Sequence, residues 1–417
     1  MSNRRDFLKG VTLAVGAGSI LAGGTQAETK AKAKTPGAKP TFNMSGYCAP
    51  KIPKVRMAYV GLGNRGSSAI ARIPFIEGVE VVAICDKDKK CTDKVQKLLK
   101  DHKLPEPAVY AGNPDVWKKM CQRDDIDLLY IATPWELHTP MAVYAMEHGM
   151  HAAIEVPAAT TMEECWQLVE TSERTRKHCV QLENCCYDFF EMLTLNMARQ
   201  GMFGDIIHGE GAYIHNLVPL KFSKGSHKRA YADMWRLEHN STRNGNLYPT
   251  HGLGPICQCM DINRGDKMEY LTSMASNDFT MNAQAKARAK KDDFYTKYVD
   301  RPWRGNINTT IVRTSKGRTI MIQHDVSSPR PYSRIHMLSG TKGFAQKYPK
   351  QHIAFGHKEI SAKYMRVLQK KFSPEIITRI GAMAKKVGGH GGMDFLMDWS
   401  LINSLRNGLA VDMDCYD

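Results

Sequence analysis

Along this chain the apolar positions keep two different rhythms. Residues 55–60 form an almost unbroken apolar run, and 79–85, 127–132, 151–154 and 179–182 repeat the pattern. Short runs of that kind suit strands buried on both faces of a parallel sheet. Between them apolar residues recur at helical spacing, as in Ser67, Ala69, Ile70 and Ile73, in Met141, Tyr144 and Met146, and across 161–177. This alternation predicts βαβ units. After about residue 185 the rhythm changes. A helix is expected over 189–199, then long strand-like runs at 206–217, 306–313, 318–324 and 333–338, and a closing helix at 392–409. Those runs predict an open, mostly antiparallel sheet. The stretch 231–266 between them is polar and aromatic, and reads as site rather than linker.

The first strand runs into Gly61-Leu62-Gly63-Asn64-Arg65-Gly66, and a helix follows. Strand, G-x-G-x-x-G and helix together mark a dinucleotide site, where glycines let the backbone approach a pyrophosphate at a helix N-terminus. The second apolar run ends at Asp86, 20 residues past Gly66, where an acid holds a ribose 2′-hydroxyl and repels a 2′-phosphate. That favours NAD over NADP. The expected fold class is α/β. An N-terminal Rossmann dinucleotide-binding domain spans 55–184, and a C-terminal α+β domain with the open, mostly antiparallel sheet spans 185–417. Ligands in such sheets lie beyond the carboxyl ends of the strands. Three strand ends therefore converge on one crevice: 61–66, 133–138 and 155–157.

The N-terminus reads as a targeting segment. Arg4-Arg5-Asp6-Phe7-Leu8-Lys9 is a twin-arginine pattern, 11–24 is apolar and rich in Gly and Ala, and Thr25-Gln26-Ala27 fits a cleavage site. Residues 1–27 are thus expected to be a signal peptide for export, to the periplasm or beyond, and 28–54 a linker. No membrane span is expected in the mature protein. The formal charge of +16 comes from lysines scattered over solvated helix faces, and no aromatic-interleaved basic motif points to nucleic acid. The 11 cysteines lack both a disulfide-framework spacing and a zinc spacing, so most are read as small buried hydrophobes, and no metal site is expected.

Taken in order, Gly61 to Gly66, Trp135-Glu136-Leu137-His138, Glu155-Val156-Pro157, Asn184, Tyr248-Pro249-Thr250-His251-Gly252, Ile262-Asn263-Arg264-Gly265-Asp266 and His390-Gly391-Gly392-Met393-Asp394 resemble the glucose–fructose oxidoreductase/inositol dehydrogenase superfamily. Within it the chain resembles the NAD-dependent glycoside hydrolase family 109 over nearly its whole length. Dehydrogenases of the superfamily usually carry Glu-Lys-Pro where Val156 stands here, and an aspartate where Leu247 stands; the hydrolase family shares both replacements. The resemblance implies that Gly61, Gly63, Asn64, Arg65, Gly66, Asp86, Trp135, Glu136, Leu137, His138, Glu155, Val156 and Asn184 line the cofactor. It implies that Tyr213, Arg236, Tyr248, Pro249, Thr250, His251 and Tyr332 line the sugar.

It also implies a redox route to hydrolysis, an exception to the usual carboxylate pair. The sugar is oxidised at C3 by NAD⁺, C2 is deprotonated, the C1 group is expelled, water adds, and the sugar is reduced again. His251 is the first choice of base for the C3 hydroxyl. For C2, either Tyr248 or Tyr213 is a candidate if nearby positive charge, such as Arg236, lowers a phenol. The expected activity is an exported exo-glycosidase releasing terminal α-linked N-acetylgalactosamine from a glycan or glycoside. The alternative is a sugar oxidoreductase with tightly bound cofactor; a third reading is a binding protein that has lost catalysis. Open sheets of this superfamily often pair, so a homodimer is expected.

Overall fold

The computed structural model describes residues 40–225 and 230–417. The twin-arginine signal expected at 1–27 and the first part of the expected linker lie outside them.

The five apolar runs become β1 (Val55–Val60), β2 (Val79–Asp86), β4 (Leu128–Ile131), β5 (His151–Ile154) and β6 (Cys179–Gln181), and a strand the pattern did not mark, β3 (Ala108–Ala111), joins them. They form a six-stranded sheet in the order β3-β2-β1-β4-β5-β6, with every pairing parallel. The order reverses between β1 and β4, which opens a crevice at their carboxyl ends. Helices cover both faces. On one, Ala58, Val60, Ile131, Met141 and Met146 share a core. On the other, Met57, Tyr59 and Tyr130 pack with Leu396, Leu401 and Leu405 of the last helix, Met393–Asn407. The chain thus returns at its end to the sheet with which it began. Helix starts follow local chemistry: Thr161 and Glu164 form a reciprocal capping box before Met162–Thr175, and Asp88 caps Lys89–Asp101.

The second sheet is built from β7 (Ile206–Ile214), β8 (Met268–Ala275), β9 (Ile307–Thr314), β10 (Thr319–Asp325), β11 (Met337–Gly340), β12 (Gly343–Gln346), β13 (His352–Phe355) and β14 (Lys358–Glu359). Its order is β14-β13-β12-β11-β7-β10-β9-β8, and only the β7–β10 pairing is parallel. The inner face, with Val312, Ile320, Ile322 and Leu338, packs on the helices Phe189–Arg199 and Thr250–Cys259. The outer face stays open: Tyr270 is 57% exposed, Met274 80% and Ile311 47%.

Two expectations are corrected here. The run 333–338 does not form a strand as written. Ile335 and His336 take left-handed backbone, Ser333 makes an isolated bridge to Ile214, and β11 begins at Met337. The described part of the expected linker, 40–54, is fastened to the body. Thr41 N–H donates to Glu173, Met44 N–H to the Tyr416 hydroxyl and Ile52 N–H to the Leu405 carbonyl. Buried Met44 and Ala49 anchor it. All 11 cysteines are free thiols. Among the described residues no helix is long and apolar enough to cross a membrane.

Candidate functional site

The turn after β1 is shaped for a dinucleotide. Gly61 has φ +84°, and a Cβ there would sit 2.6 Å from the Ala132 carbonyl oxygen. A Cβ on Gly66 would collide with the Gly61 carbonyl, whereas one on Gly63 would meet open space. Side chains are thus excluded where the turn closes on itself, and the backbone is bare where a ligand would approach. The helix beyond, Asn64–Ile70, has no side-chain cap and no acid in its first turn, leaving its N–H end to a phosphate. Asp86 stands at the end of β2 and accepts from Leu62 N–H at 2.7 Å, so the acid and the glycine turn are held together. These residues fit a nicotinamide dinucleotide.

Other expected cofactor residues play bracing roles. Arg65 donates to Glu155 at 2.5 Å and to Asp394 at 2.7 Å. The Asn184 amide donates to the other Asp394 oxygen. His138 is buried, with one ring nitrogen 2.8 Å from the Pro157 carbonyl and the other 2.8 Å from that of Thr133. Its side chain ties two strand-end loops of the crevice together. Asn184 is likewise turned to Asp394. Glu136 faces His239 across the crevice, and Leu137 lies at its surface. Trp135 is buried, edge-on to Trp235, and 5.8 Å from the ring of Tyr248.

On the second domain, the helix Thr250–Cys259 follows Pro249 and presses directly on β7. A Cβ on Gly252 would collide with Ala212, and one on Gly211 with Gly252; the two glycines let helix and strand approach closely. That approach sets His251 beside Tyr213, at 5.1 Å between ring centres, with Tyr248 4.9 Å away and edge-on. Tyr213 and Tyr248 are themselves 4.8 Å apart. The Tyr213 hydroxyl lies 3.1 Å from His215 Nδ1, and Tyr332 stands edge-on to His215 at the rim. The expected catalytic trio is thus one cluster.

Sequence reading missed the partner of His251. Glu183 is fully buried and holds His251 Nδ1 at 2.8 and 3.0 Å, while Cys185 N–H donates to the same carboxylate. Burial alone would raise the Glu183 carboxyl, but His251 and that N–H outweigh it and hold it below the ordinary range. The ionised carboxylate fixes the tautomer in which Nε2 is free to accept a proton. Glu183, Cys185 and His251 also bring potential ligand atoms within 4.8 Å of one another. Burial pushes the Cys185 thiol far up, and the two short contacts from Glu183 to Nδ1 make His251 an oriented histidine. The only sequence signal for Glu183 was its place at the carboxyl end of β6, next to Asn184.

Arg236 lies in an aromatic cage: its guanidinium is 4.9 Å from the ring of Trp135, 4.6 Å from Tyr231, 5.3 Å from Trp235 and 5.2 Å from Tyr248. It donates to the Tyr231 hydroxyl at 2.8 Å. Burial would lower its pKa, but the surrounding phenols raise it, so it stays charged. The expected lowering of the phenols is corrected. Burial pushes both Tyr213 and Tyr248 up, and Arg236 only partly draws them down. The residues that replace the polar groups of a dehydrogenase, Val156 and Leu247, both join one apolar wall with Trp135, Leu217 and Val326.

Both halves of the chain match known families. Residues 55–183 match the model for "Oxidoreductase family, NAD-binding Rossmann fold", and 187–417 match that for "Glycosyl hydrolase 109, C-terminal domain". A Porphyromonas gingivalis protein named glycosyl hydrolase family 109 protein is 47% identical over 88% of this chain and 80% of its own. A Bacteroides fragilis protein named alpha-N-acetylgalactosaminidase is 48% identical over 89% of this chain and 87% of its own. Among solved structures, an oxidoreductase domain protein from Kribbella flavida covers 87% of this chain and 93% of its own at TM-score 0.62, with 13% identity, a likeness of fold.

Proposed function

The chain belongs to glycosyl hydrolase family 109, and from that premise we propose that it is an exo-glycosidase releasing terminal α-linked N-acetylgalactosamine with the help of NAD. The observation that carries this reading is the His251–Glu183 pair beside an intact dinucleotide turn, with apolar Val156 and Leu247 where dehydrogenases carry polar groups. The name of the Bacteroides fragilis relative supports the sugar. Bound NAD⁺ would supply reversible oxidation at C3 of the sugar, accepting a hydride and returning it within one turnover. Gly61, Gly63, Gly66 and Asp86 would hold it, and the acid favours a free 2′-hydroxyl over a 2′-phosphate.

The chain's own residues move the protons. His251, oriented by Glu183, takes the C3-hydroxyl proton as the ketone forms. The ketone acidifies C2–H, and its removal expels the C1 group by elimination. Tyr248 or Tyr213 accepts that proton. Burial holds both phenols up and Arg236 draws them only partly down, so the step requires the phenolate form, and caged Arg236 is the charge that would offset both it and the developing enolate. Water then adds at C1, and the protons return as the C3 hydroxyl is restored. In deuterated water, an aryl α-N-acetylgalactosaminide should give sugar carrying deuterium at C2, and the purified protein should yield NAD rather than NADP on extraction. Release without deuterium would overturn the route.

Two further parts of the reading concern where and in what form the enzyme works. The twin-arginine pattern at Arg4-Arg5 supports export to the periplasm, and the open outer face of the second sheet, with Tyr270, Met274 and Ile311, supports pairing with a second copy. When the full chain is expressed in a bacterial host, activity should be recovered in the periplasmic fraction at a dimer mass by light scattering. Retention in the cytoplasm would reject the first part, and a monomer mass the second.

A further inference from the structure

The positive surplus of this chain is not spread evenly. Residues 341–390 hold 11 lysines and arginines against two acids, a surplus of nine out of the 16 for all 417 residues. Ten of the 11 are exposed; the other, Lys347, is buried against Glu191. Elsewhere surface cations pair with acids, as Lys54 does with Glu80, Lys87 with Asp233 and Lys118 with Asp115. Among the described residues none of these ten forms an ion pair.

Two successive helices carry most of them. Ala362–Phe372 presents Lys363, Arg366 and Lys370 along one stripe, at i, i+3 and i+7, with Lys371 beside it. Glu375–Val387 presents Arg379 and Lys386 seven residues apart, with Lys385 beside them. The lysines in the last turns are welcomed by the helix dipole. Lys363 stands in a first turn, where the dipole opposes it, and Arg366 is repelled by Lys363 and Lys370 one turn away on either side. A face of like charge costs stability through self-repulsion, which an anion settling on it relieves.

The apolar stripes of both helices are already in use. Leu368 and Phe372 join the core of the second domain, and Ile376, Ile377, Ile380 and Ala384 pack with the last helix. A helix lying in a membrane surface needs that stripe for lipid, so these two do not fit a bilayer. Tyr364 is the one exposed aromatic on them, too little for a platform that stacks nucleic-acid bases. The helix Glu375–Val387 ends against the turn 388–392, where a Cβ on Gly392 would sit 2.8 Å from the Ala384 carbonyl carbon. In that turn His390 meets Asp394, which holds Arg65 of the dinucleotide helix. The basic face thus reaches the edge of the crevice.

We propose that this face docks the sulfated stem of the glycan whose terminal sugar is cleaved in the crevice. The inference rests on the hydrolase reading above and names the kind of chain that carries the sugar. A sulfate ester keeps its charge at every working pH and offers several acceptor oxygens to lysine and arginine. Sulfates repeated along a chain meet a row of exposed cations rather than one pocket, and the row draws the stem toward the crevice.

The test compares three substrates at low salt: an aryl α-N-acetylgalactosaminide, and terminal α-linked N-acetylgalactosamine mounted on a sulfated chain and on an unsulfated chain of the same length. Wild type is expected to show a kcat/KM about tenfold or more higher on the sulfated chain, within the range that electrostatic steering supplies. High salt should abolish that advantage. Lys363→Gln/Arg366→Gln/Lys370→Gln should lose it too, with the aryl glycoside rate kept within twofold, because glutamine preserves helix propensity at these exposed positions. Lys94→Gln/Lys97→Gln/Lys100→Gln removes the same charge from an exposed helix face of the first domain and should keep the advantage. Calorimetric binding of the sulfated chain alone should weaken at least tenfold in the first triple and less than twofold in the second. Equal kcat/KM on both chains in wild type, equal losses in the two triples, or tighter binding to a DNA duplex or to anionic vesicles than to the sulfated chain overturns the proposal. Wild type that cleaves none of the three substrates, yet binds the sulfated chain through the residues of the first triple, sinks the hydrolase reading and upholds the docking face.

Discussion

His251→Asn is expected to lower kcat by about 10²–10⁴-fold, the range that a positioned proton-transfer group supplies, while the purified variant keeps its NAD and its melting temperature. Asparagine retains a polar group of similar reach but cannot take a proton. His251 sits in the first turn of a helix pressed on β7, and its backbone place is set by Gly252 and Gly211, so the substitution should not disturb the wall around it. Glu183→Gln tests the other half of the pair. It conserves shape in a fully buried position and removes the charge that fixes the histidine tautomer. Glu183 is a positioning residue, so its signature must differ from mere loss of structure. A low-field proton resonance from His251 Nδ1–H facing a carboxylate is expected in wild type and lost in both variants. In Glu183→Gln, kcat should fall with KM little changed. Full activity in His251→Asn would remove the base on which the mechanism stands.

The sequence made the first domain readable because its signals are local. A parallel sheet buried on both faces leaves unbroken apolar runs, and the glycines at 61, 63 and 66 need no distant partner to be understood. The trio Tyr213, Tyr248 and His251 was named through resemblance, and the structure brings it together. What stayed hidden depends on contacts far apart along the chain. Glu183 faces a histidine 68 residues away, and Asp394 meets Arg65 across 329. No spacing rule reports such pairs. His138 was placed along the cofactor by resemblance, and no spacing showed that its two ring nitrogens meet the carbonyls of Pro157 and Thr133. The short strands β12 to β14 have too few residues for alternation to show, and exposed β8 has no buried face to impose one.

Asp394→Ala is expected to cost about 3–5 kcal/mol of stability, because it takes one of two carboxylate partners from each of Arg65 and Arg72, leaving them only Glu155 and Asp398. Asp394 is 1% exposed at the start of the last helix and gathers four groups. Arg65 Nη1 donates at 2.7 Å, Asn184 at 2.5 Å, His390 Nδ1 lies at 2.9 Å, and Arg72 approaches to 3.7 Å. Arg65 stands in the helix that opens the dinucleotide turn, so the same change should loosen NAD. Thermal unfolding should show a melting temperature lower by roughly 6–20 °C, at the 2–4 °C per kcal/mol usual for a domain of this size. The pH dependence separates Asp394 from its neighbour Asp398. Burial would raise the Asp394 carboxyl, but Arg65, His390 and Arg72 hold it far below its ordinary value. Its contribution is therefore present above the unfolded carboxyl pKa of about 3.9 and is lost as pH falls below it. Asp398 runs the other way. Burial raises it to about 6 despite the 2.6 Å bond from Arg72. Its contribution is full below the unfolded value and fades as pH rises through about 6. Wild type should therefore gain on Asp398→Asn as pH is lowered from 7 to 5, whatever the other titrating groups do to both. A melting-temperature gap that stays flat over that interval would show that Asp398 holds no proton in the folded protein. An Asp394→Ala protein as stable as wild type would show that the arginines find other counter-charge.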